Sequence, residues 1–209
     1  MAIGTYSELK TAVANFLARD DLTDRIPEFI ALAEARMGRE LETRSQEKRA
    51  TATLTAGDAF VSLPLDLRSI RLVKLNTSPV ATLEYYTPIR LSELFADGAS
   101  GKPQAYTIIG TEIKFGPVPD TTYQAEIVYI EGVSSLSNTN TSNTILTRHP
   151  DAYLYGALAT ASVYLMDDQK TTLFEQLFTR AIEEIKKDEE RGKHAGSGLF
   201  MKSDYGELT

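Results

Sequence analysis

The chain has 209 residues, 42% hydrophobic and 24% charged, which leaves room for one domain, or one domain with an insert, around a true core. It contains no cysteine, so disulfides, thiolate metal sites and cysteine nucleophiles are excluded, and the lack of disulfides is compatible with the cytoplasm. The formal net charge of −7 argues against a surface that binds nucleic acid indiscriminately. No apolar run approaches the ~20 residues that cross a bilayer, and Met1–Tyr6 lacks the basic-then-apolar pattern of a signal peptide.

Thr5-Tyr6-Ser7-Glu8 is a capping box, in which the hydroxyl and the carboxylate each satisfy an orphan backbone N–H. It predicts a helix from Thr5 with Leu9, Val13, Phe16 and Leu17 on one apolar face. After a break at Arg19–Leu22, a second helix is expected from Thr23 or Asp24. Pro27 falls in its first turn, where the missing N–H costs nothing. Ile26, Ile30, Ala33, Met37 and Leu41 form its inner face.

The period then changes. Residues 51–55 and 60–63 read as strands about the turn Ala56-Gly57-Asp58-Ala59, with Pro64 as a stop. Residues 70–75 and 80–86 predict two further strands. Pro88–Phe95 reads as a short helix with Ile89, Leu91, Leu94 and Phe95 inward. Residues 105–109 and 112–115 form a hairpin at Gly110-Thr111. Residues 123–130 alternate, with Tyr123, Ala125, Ile127 and Tyr129 on one face. Six or seven short strands of this kind suit a small antiparallel sandwich or barrel.

Ser134–Thr144 is polar and of low complexity, and reads as a surface loop. Pro150–Met166 is apolar over most of its circumference and should be the central, most buried helix. The last helix is expected over Asp168–Arg191, with Leu173, Phe174, Leu177, Phe178, Ala181, Ile182 and Ile185 as its stripe and Gly192 as its stop. The segment 193–209 has no clear period, yet carries Leu199, Phe200, Met201, Tyr205 and Leu208. Such apolar content in an aperiodic segment suggests docking on a partner.

Motifs for chemistry are sparse. His149 and His194 have no ligand at metal spacing, and no nucleophile elbow or glycine-rich phosphate loop is present. Asp20-Asp21 and Asp167-Asp168 sit at helix junctions, where carboxylates complement the positive N-terminal end of the helix. Arg36, Arg39, Arg44, Lys48 and Arg49 are interleaved with Glu40, Glu42 and Glu47, and Arg68, Arg71 and Lys74 follow. Mixed signs of this kind read as a salt-bridged surface or subunit interface more than as a phosphate track.

The order of several pieces along the chain resembles the head-to-tail adaptor (connector) proteins of tailed bacteriophages, of the short-tailed, tail tubular protein A type. The pieces are Arg19-Asp20-Asp21-Leu22 with Ile26-Pro27-Glu28-Phe29-Ile30-Ala31-Leu32-Ala33-Glu34, Arg39-Glu40-Leu41, Leu63-Pro64-Leu65-Asp66, Lys102-Pro103-Gln104-Ala105-Tyr106, Phe115-Gly116-Pro117-Val118-Pro119 and Pro150-Asp151-Ala152-Tyr153-Leu154-Tyr155-Gly156-Ala157-Leu158. The resemblance implies a virion protein of the neck, made in the host bacterial cytoplasm. It implies a ring of twelve copies beneath the portal, with DNA passing through the lumen and no specific binding to it. It also implies contacts with the portal and with a tail or nozzle protein, and neither cofactor nor enzymatic activity.

The resulting expectation is an α+β fold. A discontinuous four-helix bundle (1–48 and 145–191) forms the ring, with an inserted antiparallel β domain (49–144) and a docking tail (192–209). Leu199, Phe200, Met201, Tyr205 and Leu208 are the candidate portal-binding residues, and no catalytic, cofactor or metal residue is expected. The other readings of the residues are a different neck or tail structural protein, and a tail-associated hydrolase.

Overall fold

A computed structural model of the chain describes residues 3–19, 21–95 and 99–194, and the candidate portal-binding residues Leu199, Phe200, Met201, Tyr205 and Leu208 lie outside them. Among the described residues the architecture is mixed α+β, with six helices and ten strands. The helices are α1 (Tyr6–Leu17), α2 (Ile26–Glu40), α3 (Pro88–Leu94), α4 (Thr144–Arg148), α5 (Pro150–Tyr164) and α6 (Asp168–His194). The longer strands are β1 (Glu47–Leu54), β3 (Leu67–Leu75), β7 (Ala105–Ile109), β8 (Glu112–Gly116) and β10 (Tyr123–Glu131). The shorter ones are β2 (Phe60–Ser62), β4 (Ala81–Thr82), β5 (Glu84–Tyr85), β6 (Ser100–Gly101) and β9 (Val118–Pro119). The chain forms two compact units. One, helical, ends at Leu41 and resumes at Leu136; the other is Glu42–Ser135.

In the helical unit the capping box forms as written. The Thr5 hydroxyl accepts the Glu8 N–H at 3.3 Å, and the Glu8 carboxylate accepts from Gly4 and Thr5 N–H at 2.9 and 3.0 Å. Leu9 and Val13 are fully buried, but Phe16 is exposed, because α1 ends one residue later and the chain turns away through Ala18 at φ 50°. α2 begins at Ile26, where the N–H groups of Arg25 and Ile26 both reach the Leu22 carbonyl. α4 is absent from the sequence reading; the Asn143 side chain starts it by accepting the Leu146 N–H at 2.8 Å.

α5 buries side chains around most of its circumference and meets α1, α2, α4 and α6. Gly156 allows this crowding. A Cβ there would lie 2.9 Å from the Phe178 ring of α6 and 3.0 Å from the Ala33 Cβ of α2. Phe178, Ala181, Ile182 and Ile185 are buried, while Leu173 is exposed. α6 does not stop at Gly192, contrary to expectation. A glycine inside a helix costs only about 1 kcal/mol against alanine, less than a long helix readily absorbs.

In the β unit, sheets ordered β1-β10-β3-β4 and β2-β8-β7-β5 share one core, and β6 pairs with β9. Leu54, Val73, Leu75, Ala125, Ile127 and Tyr129 meet Tyr106, Ile113 and Phe115 there, with Leu83 among them. The expected barrel is not formed, since both large sheets remain open at their edges. Nor is the pairing wholly antiparallel. β5–β7 and β6–β9 run parallel because their partners arrive by crossover rather than by hairpin.

Local differences have local causes. The expected strand over 80–86 is split into β4 and β5 in different sheets, with buried Leu83 between them. Strict alternation in β10 fails at Ile130, which is buried beside Tyr129. Its pairing with β3 shifts register between Val128 and Tyr129 and again after Ile130, as a bulge requires. Of the residues expected inward on α3, Ile89 is 75% exposed and Leu94 is exposed, while Leu91 is buried. A helix of seven residues turns only about twice, so one face residue is covered and its neighbours are not. Phe95 caps it and lies over Gly116, where a Cβ would come within 2.7 Å of the ring.

Candidate assembly surface

The basic residues singled out in the sequence are largely spent on carboxylates within each unit. In the helical unit, Arg36 makes a two-pronged bond to Glu175 at 2.7 and 2.9 Å and stacks over the Phe178 ring at 4.5 Å. In the β unit, Arg71 reaches Glu42 at 2.8 Å, Lys74 reaches Glu126 at 2.9 Å and Arg49 reaches the same carboxylate at 3.5 Å. Lys48 pairs with Glu131 and, at 3.4 Å, with Asp66. These carboxylates raise the affinity of Lys48 for its proton and hold it charged, the Glu131 hydrogen bond first. Charges neutralised in this way offer little to a phosphate backbone.

His149 lines an open groove with Asp151, Glu184, Lys187, Asp188 and Arg191, floored by Ala181 and Ile185. Among the described residues no group of three or more His, Asp or Glu is arranged to hold a metal ion. The most enclosed carboxylate of α2, Glu34, accepts the Leu136 N–H at 2.7 Å and the Tyr153 hydroxyl at 3.2 Å. Burial, first, together with this neighbouring carboxylate pushes the Tyr153 hydroxyl well above its ordinary range, so Tyr153 stays a neutral donor.

The surface that stands out is apolar. On the helical unit Phe16, Leu32, Val163, Tyr164, Met166 and Leu173 are large hydrophobic side chains left in water. Three of them, Val163, Tyr164 and Met166, crowd the turn from α5 to α6. Tyr164 meets the Phe29 ring with centroids 5.6 Å apart, and Arg19 of the α1–α2 turn lies near enough to feel the tyrosine. Met166 is 89% exposed and holds φ 55°, a conformation that costs a non-glycine residue of order 1 kcal/mol. On the β unit Leu65, Val80, Tyr85 and Ile89 are individually exposed.

Sequence reading missed these residues as surface. Period places Phe16 and Leu173 on inner stripes and Met166 at the end of a helix. Only the packing of neighbours distinguishes a covered turn of a stripe from an uncovered one. The signal that was legible is Met166-Asp167-Asp168, an apolar residue directly before an N-terminal acidic pair, which marks an exposed turn.

Paired surface charges and apolar side chains gathered at a helical turn are features of a protein that acts through contacts with other proteins. The chain belongs to the SU10 adaptor protein family, whose model matches residues 4–198. It is accordingly a bacteriophage structural adaptor and a component of the virion. No curated protein matches the chain. Among the described residues, no helix is long and apolar enough to cross a membrane.

Proposed function

We propose that this adaptor forms a ring of twelve copies beneath the portal, joins the capsid to the tail and lets DNA pass through its lumen. The body of the ring is the helical unit, a discontinuous four-helix arrangement in which α1, α2 and α6 surround α5. Loops of the β unit face a tail or nozzle protein. The segment carrying Leu199, Phe200, Met201, Tyr205 and Leu208 docks on the portal, its ordering entropy offset only when those side chains find a groove.

The observation that carries this reading is the apolar cluster at the α5–α6 turn, taken with membership of the adaptor family. A closed ring needs two unlike faces on each copy, and an exposed apolar turn supplies one of them. The net charge of −7 favours a lumen wall to which DNA does not adhere.

The test mixes the purified chain with portal rings and images the product. A twelvefold ring at the portal base is the expected outcome, and its absence refutes the proposal. Two variants separate the contacts. Removal of residues 193–209 should leave ring contacts intact and weaken portal attachment. Met166→Asn should leave folding within about 0.5 kcal/mol of the parent, as exposed substitutions do, and weaken contacts between copies. Undiminished assembly in both variants would leave the named surfaces without a role.

A further inference from the structure

The turn from α5 to α6 forms an apolar knob. Val163, Tyr164 and Met166 stand in water there, and Met166 holds φ 55°. Glycine adopts that backbone conformation freely, whereas in methionine it is strained. A large apolar side chain kept both strained and exposed gains little within its own chain, and an outlier of this kind points to a contact outside it. Methionine is also the most adaptable apolar side chain for filling an irregular recess.

The same pair of helices carries such a recess elsewhere. Where the start of α5 meets the later turns of α6, an open groove of about 390 Å³ is floored by Ala181 and Ile185. An engineered cavity of roughly 150 Å³ accepts benzene, so the groove has room for a methionine side chain. The knob cannot fill the groove of its own copy. Asp168, beside the knob, and Ile185, in the groove, belong to one helix, α6, and stand about 25 Å apart along it at 1.5 Å per residue.

Charge matches the two surfaces. At the knob, Asp167 is engaged with Lys170, accepting its backbone N–H at 3.1 Å and pairing with its ammonium at 3.2 Å. Asp168 has no ion-pair partner among the described residues. In the groove, Glu184 is engaged with Arg180 at 2.9 Å. Asp151 complements the positive end of α5, whose first turn has no capping side chain. Lys187 and Arg191 are left against Asp188, none of the three in an ion pair among the described residues. The groove therefore offers one surplus positive charge, and the turn one surplus negative charge.

We propose that the α5–α6 turn of one copy seats Met166 in the Ala181–Ile185 groove of the next, with Asp168 facing Lys187 and Arg191. The contact rests on the ring reading and supplies the second of the two unlike faces that a closed ring requires. Each copy carries knob and groove at a fixed separation on one helix, so every contact leaves one knob and one groove open until the ring closes.

Because the chain has no cysteine, cross-linking of the full-length protein on portal rings tests the contact. Met166→Cys and Asp188→Cys are made singly and together, and a short bismaleimide links them. An equimolar mixture of the single variants should give covalent dimers at least tenfold more abundantly than either variant alone, and the double variant a ladder of higher multimers. Asp168→Lys and Lys187→Glu should each weaken assembly about fivefold, the upper end for an exposed charge pair, and together should restore it to within about twofold of the parent. Parent rings on the portal without a link between positions 166 and 188 overturn the inference and leave the ring reading standing. A parent that forms no ring overturns the ring reading itself, and the contact with it. Position 166 linked to itself would mean a twofold contact, and position 188 linked to the portal would mean a different occupant; either result overturns the inference. A double charge exchange that assembles no better than the single ones does so too.

Discussion

Gly156 sits where three helices meet, and adding one methyl group there opposes two effects of known size. Alanine is favoured over glycine inside a helix by about 1 kcal/mol, so an uncrowded Gly156→Ala change would stabilise α5. The added Cβ, however, would lie 2.9 Å from the Phe178 ring on one side and 3.0 Å from the Ala33 Cβ on the other. Ordinary carbon contacts begin near 3.5 Å, so both neighbours would have to yield by about half an ångström. Neither can do so cheaply. Phe178 and Ala33 are fully buried, and the ring is pinned beneath Arg36, itself held in two places by Glu175. Overpacking of this kind costs roughly 1–3 kcal/mol, which exceeds the propensity gain. Gly156→Ala should therefore destabilise the helical unit by about 1 kcal/mol. That corresponds to a fall of roughly 0.5 M in the urea midpoint at unchanged slope, followed by far-ultraviolet circular dichroism. On a Phe178→Leu background, where the ring is gone, the same substitution should cost less, and the difference measures the coupling. A midpoint that rises with Gly156→Ala alone would refute the argument, because propensity would then have prevailed over packing.

Thr107, in β7, is fully buried and its hydroxyl has no hydrogen-bond partner, so the isosteric Thr107→Val should stabilise the β unit by about 1 kcal/mol in the same urea assay. A loss of stability would mean that the hydroxyl is satisfied after all. The Glu8 carboxylate is held below its ordinary value of 4.5 chiefly by the Gly4 N–H, then by the Thr5 hydroxyl and N–H. A depressed folded-state value contributes stability at pH above 4.5 that disappears as the pH falls through that value, so Glu8→Gln should flatten the acid limb of the stability curve below about pH 4.5. Parallel curves for parent and variant between about pH 5 and pH 3 would show that the capping box contributes nothing through its charge.

What the sequence could determine here is whatever depends on neighbours along the chain. The capping box at Thr5–Glu8, Pro27 in the first turn of α2, the Gly110-Thr111 hairpin and the alternation from Tyr123 to Tyr129 are set by spacing of a few residues, and they form as read. Low amphipathicity over Pro150–Met166 likewise marked α5 as the helix with partners on most sides. Tertiary structure alone decided what depends on distant neighbours. Whether Phe16, Leu173 and Ile89 are covered is a matter of where the adjoining elements end, and period cannot reveal it. Whether 134–144 is a loose loop or a fastened one depends on Glu34 and Tyr153, which are remote in sequence and buried only once α2 and α5 have packed. The splitting of residues 80–86 between two sheets and the parallel pairing of β5 with β7 are choices of partner, made by strands whose own residues fit either arrangement. The order of short pieces along the whole chain carried the resemblance to a phage adaptor. The apolar turn at Met166 and the buried hydrogen bonds of Glu34 and Gln46 exist only in the folded chain, because each is built from groups brought together by packing.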